Sequence, residues 1–404
     1  MVAEGCNLRC DYCFEHHKRP RFMSWATAKE AVDYYLTADD GYTEVLIDFM
    51  GGEPMLAFPL IRQVVEYVAE HPWPKKLHFS MSTNGTLFDK ENKDWFIAHK
   101  RLITPMLSLD GTRVAHDLNR SNSYDRVSEH FEFFLNHWAF QPIKMTVNHR
   151  SLPFLADGVL SMLTLGFVVE GNLVYENVWG VGAEKQGHLR TMEHELARLV
   201  DFYTEYPALT PPRLIHLPLE NCLRPYEGTW CGAGDAMVAL DLNGTRYPCH
   251  RFMELSGGKG LTLEEYRDPR TNPRQSSPCD SCPLIAACPT CQGYNWECHG
   301  SSTLRARHTC EFLKMQMVAT AALKVNRLQY LFDQRHPREI DDDTLAEAHR
   351  QLEASQLIFK TLADLPQREL KPYVTGEWPG GRGWDRRLRW HKRQEPPVPV
   401  AAAS

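Results

Sequence analysis

The 404-residue sequence has no cysteine between positions 14 and 221. It has no apolar run of the roughly 18 residues that a membrane-spanning helix needs, and no signal peptide before its first cysteine. It also lacks a large excess of either charge: the net charge is −6 and the pI about 6.3. The balanced charge leaves no basic field for nucleic acid or anionic membrane, so neither is expected as a partner. The missing export signal makes the expected location cytoplasmic, and there clustered cysteines read as metal ligands rather than disulfides. The segment before Cys6, Met1 to Glu4, is shorter than the roughly five residues of a typical strand, which implies a chain that begins part-way through one.

The cysteine-free stretch divides twelve cysteines into two fields, three at the N-terminus and nine between 222 and 310. The first field is Glu4-Gly-Cys-Asn-Leu-Arg-Cys-Asp-Tyr-Cys-Phe14, with Cys6, Cys10 and Cys13 in C-x3-C-x2-C spacing. One short loop carrying three thiols can hold a four-iron cluster while leaving one iron without a protein ligand. An iron with an open position can bind and reduce a small molecule; a fully ligated cluster mainly passes electrons. His16 and His17 read as loop surface, because no histidine before residue 200 has a paired metal spacing.

The cysteine-free stretch itself alternates short apolar runs with amphipathic ones. Strands are expected over 44–50, 76–82, 102–109, 143–148 and 172–178, and helices over 24–38, 59–70, 89–100, 124–138, 152–165 and 191–205. With a first strand before Cys6 this makes six β/α units. The pattern implies a parallel sheet in a partial (β/α)6 barrel, whose functional loops follow the carboxyl ends of the strands. Gly51-Gly52-Glu53-Pro54, Thr83-Asn84-Gly85, Ser108-Leu109-Asp110-Gly111 and Val147-Asn148 all fall on such loops. The paired glycines permit close backbone approach, and the loop carbonyls and Glu53 are potential acceptors for an ammonium group.

After five prolines between 207 and 230 the second cysteine field begins. Residues 236–247 read as a hairpin with Asn243-Gly244 at its tip, which brings the flanking Cys231 and Cys249 together. Cys279-x2-Cys282-x5-Cys288-x2-Cys291, Cys298 and Cys310 follow. Taken alone, residues 279–291 fit a zinc site; beside the three-thiol loop, iron–sulfur is the preferred reading. Helices are expected over 311–335 and 343–364. The Gly-, Arg-, Trp- and Pro-rich residues 375–404 are expected to be a disordered tail.

The N-terminal loop closely resembles the signature of the radical S-adenosylmethionine (SAM) enzymes. Residues 231–310 resemble the SPASM extension of the members that modify peptides, among them anaerobic sulfatase-maturing enzymes and maturases of ribosomally made peptides. The resemblance implies a SAM-binding four-iron cluster on Cys6, Cys10 and Cys13, with Gly51, Gly52, Glu53 and Pro54 holding the methionine amino group. Ser108 would reach the ribose or carboxylate, and Asn84, Asp110 and the His116-Asp117-x-x-Arg120 segment lie in matching places. Asn148 and Phe14 would flank the adenine.

The same resemblance implies two auxiliary four-iron clusters. Cys231 and Cys249, with Cys291 crossing back and Cys222 as completing ligand, would hold one. Cys279, Cys282, Cys288 and Cys310 would hold the other, leaving Cys298 spare. The spacing between Cys288 and Cys291 is x2 where the family pattern has x3, which puts the choice between Cys291 and Cys298 in doubt. His250 follows Cys249 where the sulfatase-maturing type has an aspartate thought to be its base; histidine can also accept a proton near neutral pH.

The implied domains are a barrel over 1–206, a linker over 207–230, the SPASM region over 231–312, C-terminal helices over 313–374 and the tail. The implied activity is hydrogen-atom abstraction from a peptide or protein by a 5′-deoxyadenosyl radical, an oxidoreductase reaction leaving an oxidised or cross-linked residue. A flavodoxin or ferredoxin would supply electrons, and the C-terminal helices or a separate protein would recognise a leader. Formylglycine formation is the alternative, and a non-catalytic iron–sulfur or zinc protein a further one.

Overall fold

A computed structural model describes residues 1–226, 230–257, 260–268, 277–334 and 340–363. These divide into two compact units that interleave along the chain. The first comprises 1–188, 228–277 and 290–309; the second comprises 189–227, 278–289 and 310 onward. Residues 375–404 lie outside the described residues.

The first unit is built on parallel strands. Helix α1 (Trp25–Thr37) starts where Ser24 accepts the Thr27 N–H, and leads to β1 (Glu44–Phe49). Helix α2 (Phe58–Ala69), β2 (Lys76–Thr83), α3 (Lys90–Ala98) and β3 (Ile103–Leu107) follow. Asp89 opens α3 with a reciprocal capping box to Asn92. β1 pairs with β2 and β2 with β3, both parallel, with Phe49 stacked on Phe79 at 5.2 Å between ring centroids.

A helix without an expected counterpart, α4 (Arg113–Asn119), follows, and the expected helix over 124–138 is two short ones, α5 (Tyr124–Ser128) and α6 (Phe131–Trp138). Ser121 and Asn122 between α4 and α5 take φ of 56° and 52°, which no helix continues through. Strand β4 (Ile143–Val147), helix α7 (Leu155–Thr164) and β5 (Val169–Leu173) complete the sheet, and β4 pairs with β5 in parallel. β5 lies a few residues before its expected position because Gly171 and Asn172 weaken its apolar pattern. Helix α8 (Gly182–Glu205) begins nine residues ahead of expectation.

Two bridges join these pieces into one parallel series. Ser108 pairs with Lys144, linking β3 to β4, and Ala3 pairs with Gly51, placing the N-terminal segment beside β1. The order N-terminal segment, β1, β2, β3, β4, β5 is the expected six-strand partial barrel. Phe79, Met81, Ile103 and Val147 are fully buried within it, each contributing roughly 1.5–3 kcal/mol by burial. Also in this unit, β6 (Ala239–Leu240) and β7 (Arg246–Tyr247) form the expected antiparallel hairpin. Gly244 takes φ +86° at its tip, and Asp241 Oδ1 accepts from the Asn243 and Thr245 amides. Tyr247, Phe252, Met253 and Tyr266 form a small core beneath it. Helix α9 (Glu254–Gly257) lies in this region, and α10 (Gln292–His299), which has no apolar stripe in sequence, ends on Gly300 in the left-handed conformation.

In the second unit, α11 (Cys310–Gln334) packs with α12 (Asp342–Thr361) through Leu328, Phe332, Ile340, Leu345 and Ala348. The proline-rich segment expected as a linker is packed structure here. Leu214, Ile215, Leu217 and Leu219 are buried, the Leu217 amide donates to Thr320 Oγ1, and Glu220 pairs with Lys324.

Candidate active site

The Cys6–Cys13 loop is held by neighbours at the carboxyl ends of the strands. The Asp11 amide donates to the Asn119 carbonyl at 2.8 Å, and the Arg9 amide to Ser121 Oγ at 2.9 Å. Asn7 Nδ2 donates to Thr86 Oγ1, and Asn84 Nδ2 to Asn7 Oδ1, both at 2.8 Å. Beneath the loop, the Tyr12 hydroxyl donates to Asp110 Oδ2 at 2.8 Å. The same carboxylate, fully buried, pairs with Arg120 Nε at 3.0 Å and accepts from Asn119 Nδ2 and the Thr146 amide. Strands β3 and β4, helix α4 and the thiol loop are thereby tied at one point.

The loop Gly51-Gly52 performs a close approach, but to the chain itself. A Cβ on Gly51 would stand 1.8 Å from the Ala3 carbonyl oxygen, and one on Gly52 2.3 Å from that of Gly5. The Gly52 and Glu53 amides donate to Ala3 and Gly5. Glu53 is inside: its carboxylate accepts from the Asn84 amide and Thr83 Oγ1 at 2.7 Å and the Met55 amide at 3.0 Å. These bonds make the carboxylate a buried clamp between the loops after β1 and β2. Pro54 is buried at the start of the turn that Glu53 caps.

Asn148 is likewise committed, accepting the Arg150 and Ser151 amides and donating to Asp11 Oδ2 at 3.2 Å. Ser108 is half-buried, its amide donating to the Thr83 carbonyl. Glu53, Asn84, Asp110 and Asn148 thus frame the loop through hydrogen bonds that sequence spacing does not reveal.

Burial pushes the Cys6 thiol up, and the Cys10 thiol up to about 11, the latter against the nearby Arg120. Lys18 lies beside Cys13 and Cys6. Among the described residues, no three His, Cys, Asp or Glu side chains converge tightly enough for a single ion. A four-iron cube spreads its thiolates to separate corners, so three thiols of one loop, with cations beside them and no fourth thiol, fit such a cluster.

Phe14, one residue past the loop, lies 5.4 Å from the His250 ring and 4.6 Å from the Arg251 guanidinium. Arg251 also covers Tyr294 at 4.9 Å and binds Glu176 and Glu297 at 2.5 and 3.0 Å. Sequence reading singled out neither Arg251 nor Glu176. Burial, then Arg251 and Lys144, hold the His250 imidazole down at about 4, so it is neutral at pH 7. In the same unit Cys249 and Cys231 neighbour each other, and both neighbour Cys291. Cys222 is elsewhere: in the second unit it lies beside Cys282, its thiol accepting from the Ala287 amide. That unit also contains Cys279, Cys288 and Cys310.

Residues 1–137 match the Radical SAM superfamily. The chain carries a radical SAM domain. An uncharacterized protein of Methanocaldococcus jannaschii is 29% identical over 171 residues, covering 41% of this chain and 57% of that relative. A cysteine-type anaerobic sulfatase-maturating enzyme of Clostridium perfringens is 32% identical over 130 residues, covering 30% of this chain and 34% of the enzyme. The chain therefore spans between a third and three-fifths of these curated relatives.

Solved structures extend the likeness in fold beyond the radical SAM domain. One of anSMEcpe with bound AdoMet and the Kp18Cys peptide has a TM-score of 0.59 at 20% identity, covering 78% of this chain and 94% of that one. SuiB of Streptococcus suis bound to its precursor peptide SuiA has 0.52 at 17%, covering 76% and 74%. The fold is a radical SAM partial barrel followed by a cysteine-rich region consistent with SPASM. No helix among the described residues is long and apolar enough to cross a membrane.

Proposed function

We propose that this radical SAM enzyme acts on a peptide or protein substrate, removing a hydrogen atom from an unactivated carbon and leaving an oxidised or cross-linked residue. The observation that carries this reading is the thiol loop, seated at the strand carboxyl ends over the buried Asp110–Arg120 pair, to which Tyr12 of the loop is bonded. Cys6, Cys10 and Cys13 would hold a four-iron cluster, which when bound would supply the one-electron chemistry that activates SAM.

The chain's own residues orient and enclose. Asn7, Asn84 and Thr86 fix one side of the loop, and Asp11 with Asn148 the other. The acceptors for the SAM ammonium group are the backbone carbonyls of the Gly51–Pro54 turn and the remaining lone pair of Glu53 Oε2, which has one donor, the Asn84 amide. Ser108 serves the carboxylate or ribose, and Phe14 and Asn148 border the adenine. The later cysteines would hold auxiliary four-iron clusters, which would supply an electron acceptor there. A peptide substrate is supported by the peptides named in the neighbouring anSMEcpe and SuiB structures. A flavodoxin or ferredoxin serves as reductant, and a separate protein recognises a leader.

Formylglycine formation is a second reading, supported by the 32% identity to a cysteine-type sulfatase-maturating enzyme. His250 stands where that type has an aspartate, and this weakens the reading, because burial holds its imidazole down at about 4 and leaves it a weak base at pH 7. One experiment tests both against a non-catalytic iron–sulfur or zinc protein. Protein purified anaerobically and given dithionite and SAM is expected to release 5′-deoxyadenosine, and Cys10→Ala to release none. Iron-replete protein that releases none overturns the proposal. A sulfatase-derived cysteine peptide converted to an aldehyde decides for the second reading.

A further inference from the structure

Successive side chains of the first unit's strands alternate between two unlike faces. Phe79, Met81, Ile103 and Val147 make one face apolar and buried. The register sets Asp48, Ser80 and Thr104 side by side on the other, and Ser108 beside Lys144. This second face carries polar groups tied to one another. Ser80 Oγ donates to Asp48 Oδ1 at 2.6 Å, His78 Nε2 lies 2.9 Å from Thr104 Oγ1, and Lys144 Nζ donates to Ser82 Oγ at 2.6 Å.

Lys144 is half-buried, and among the described residues its ammonium makes no ion pair. Glu170, its register partner on β5, and Asp48 share the face without pairing with it. Ser82 uses one of its three N–H donors, and two remain. A cation held partly out of water without a counter-charge is costly, and an incoming anion offsets that cost. Ser82 lies two residues, roughly 6.6 Å, before the level of Ser108 along the parallel strands. The ammonium is thus drawn away from Ser108, the residue read as serving SAM, and deeper along the sheet. After burial and Arg251, Lys144 is what holds the His250 imidazole down, and that ring lies 5.4 Å from Phe14 beside the thiol loop.

We propose that Lys144, steadied by Ser82, binds a carboxylate of the peptide substrate close to the carbon that is modified. This rests on the reading of the chain as a peptide-modifying enzyme and names its substrate class: a peptide with an acidic side chain, or its own C-terminal carboxylate, beside the modified residue. A monoanion is the class because a single ammonium faces it, while Asp48 and Glu170 on the same face disfavour a dianion such as a phosphate group.

The test uses the full chain, anaerobically reconstituted and kept oxidised, with its lysines carrying ¹³C-methyl groups for NMR. Lys144→Met identifies the Lys144 signal, or Lys144→Arg where the methionine variant does not fold. With SAM already bound, the protein is titrated with N-acetylglycine and with the N-methylamides of N-acetylaspartate, N-acetylglutamate and N-acetylglutamine. The Lys144 signal should move saturably with at least one carboxylate probe. That probe should bind about tenfold or more tighter than the neutral glutamine one, the difference that a charge-assisted hydrogen bond makes. A response to the side-chain acids points to an internal acidic residue, and one to N-acetylglycine alone to a chain terminus. The proposal is overturned by equal binding of the glutamine probe, by no response to any carboxylate, or by a Lys144 signal that SAM moves and the probes then leave alone. No reading depends on SAM cleavage, so failure of the proposed catalytic function would be seen separately.

Discussion

Asp110 Oδ2 and Arg120 Nε lie 3.0 Å apart with both side chains buried, directly under the thiol loop. Tyr12 reaches the same carboxylate from above, its ring also covered by the Arg120 guanidinium at 5.4 Å. The pair is how the barrel holds the cluster-binding segment. A buried charge left alone is costly, while removal of both partners costs less. Arg120→Met is therefore expected to destabilise the protein by about 3–5 kcal/mol in urea unfolding. Arg120→Met with Asp110→Asn should recover part of that loss. Additive effects of the two substitutions would overturn the coupling.

The contact of Gly51 and Gly52 with the N-terminal segment predicts a second effect. Gly51 takes φ +145° with the Ala3 carbonyl where a Cβ would be, and Gly52 has the Gly5 carbonyl there. Gly51→Ala and Gly52→Ala should displace the segment that leads into Cys6, and anaerobic iron counts should fall by about four. Gly41→Ala is the control, because its φ is also positive but nothing lies within 4 Å. It should cost stability only modestly and leave iron unchanged.

His116 predicts a pH dependence. It is fully buried in α4, with Nδ1 facing the Asp110 amide and Nε2 bonded to Ser123 Oγ at 2.9 Å. Burial, then Arg120, holds its imidazole down at about 4, against the opposing pull of Asp110 and Asp117. The unfolded chain binds this proton from about pH 6.5 downward and the folded chain only near 4. The contribution is thus complete above pH 6.5 and is lost as pH falls from 6.5 to 4. The slope of unfolding free energy over that window should flatten in His116→Gln.

Arg251 joins Phe14, Tyr294, Glu176 and Glu297 within one unit, and a Cβ on Gly293 would stand 2.6 Å from its own side chain. Lysine has neither the planar face nor the forked donors for this position. Arg251→Lys is expected to lower thermal stability and to raise 5′-deoxyadenosine release that is not coupled to product. Unchanged coupling would show that the stack does not position the site.

Much of this was legible in the chain because its signals are local. Cys6, Cys10 and Cys13 sit in one loop, so spacing alone indicates a three-thiolate set. Ser24 and Asp89 announce helix starts through bonds three residues long. β5 was misplaced because Gly171 and Asn172 lack strand character, and α10 was missed because its buried face is Gln292, Gly293, Tyr294 and Asn295 rather than an apolar stripe.

The sequence by itself determined the parallel β/α alternation, the three-thiol loop and the hairpin between Cys231 and Cys249, since periodicity and turn chemistry act over a few residues. The tertiary structure alone decided that Glu53, Asn84, Asp110 and Asn148 frame the loop, that Arg251 stacks on Phe14, and that Cys222 lies beside Cys282. Those outcomes depend on which distant donors and thiols meet: Asp110 takes its partners from Tyr12, Asn119 and Thr146, and Cys222 lies sixty residues from Cys282. Contacts across such separations are made by packing, which no local pattern records.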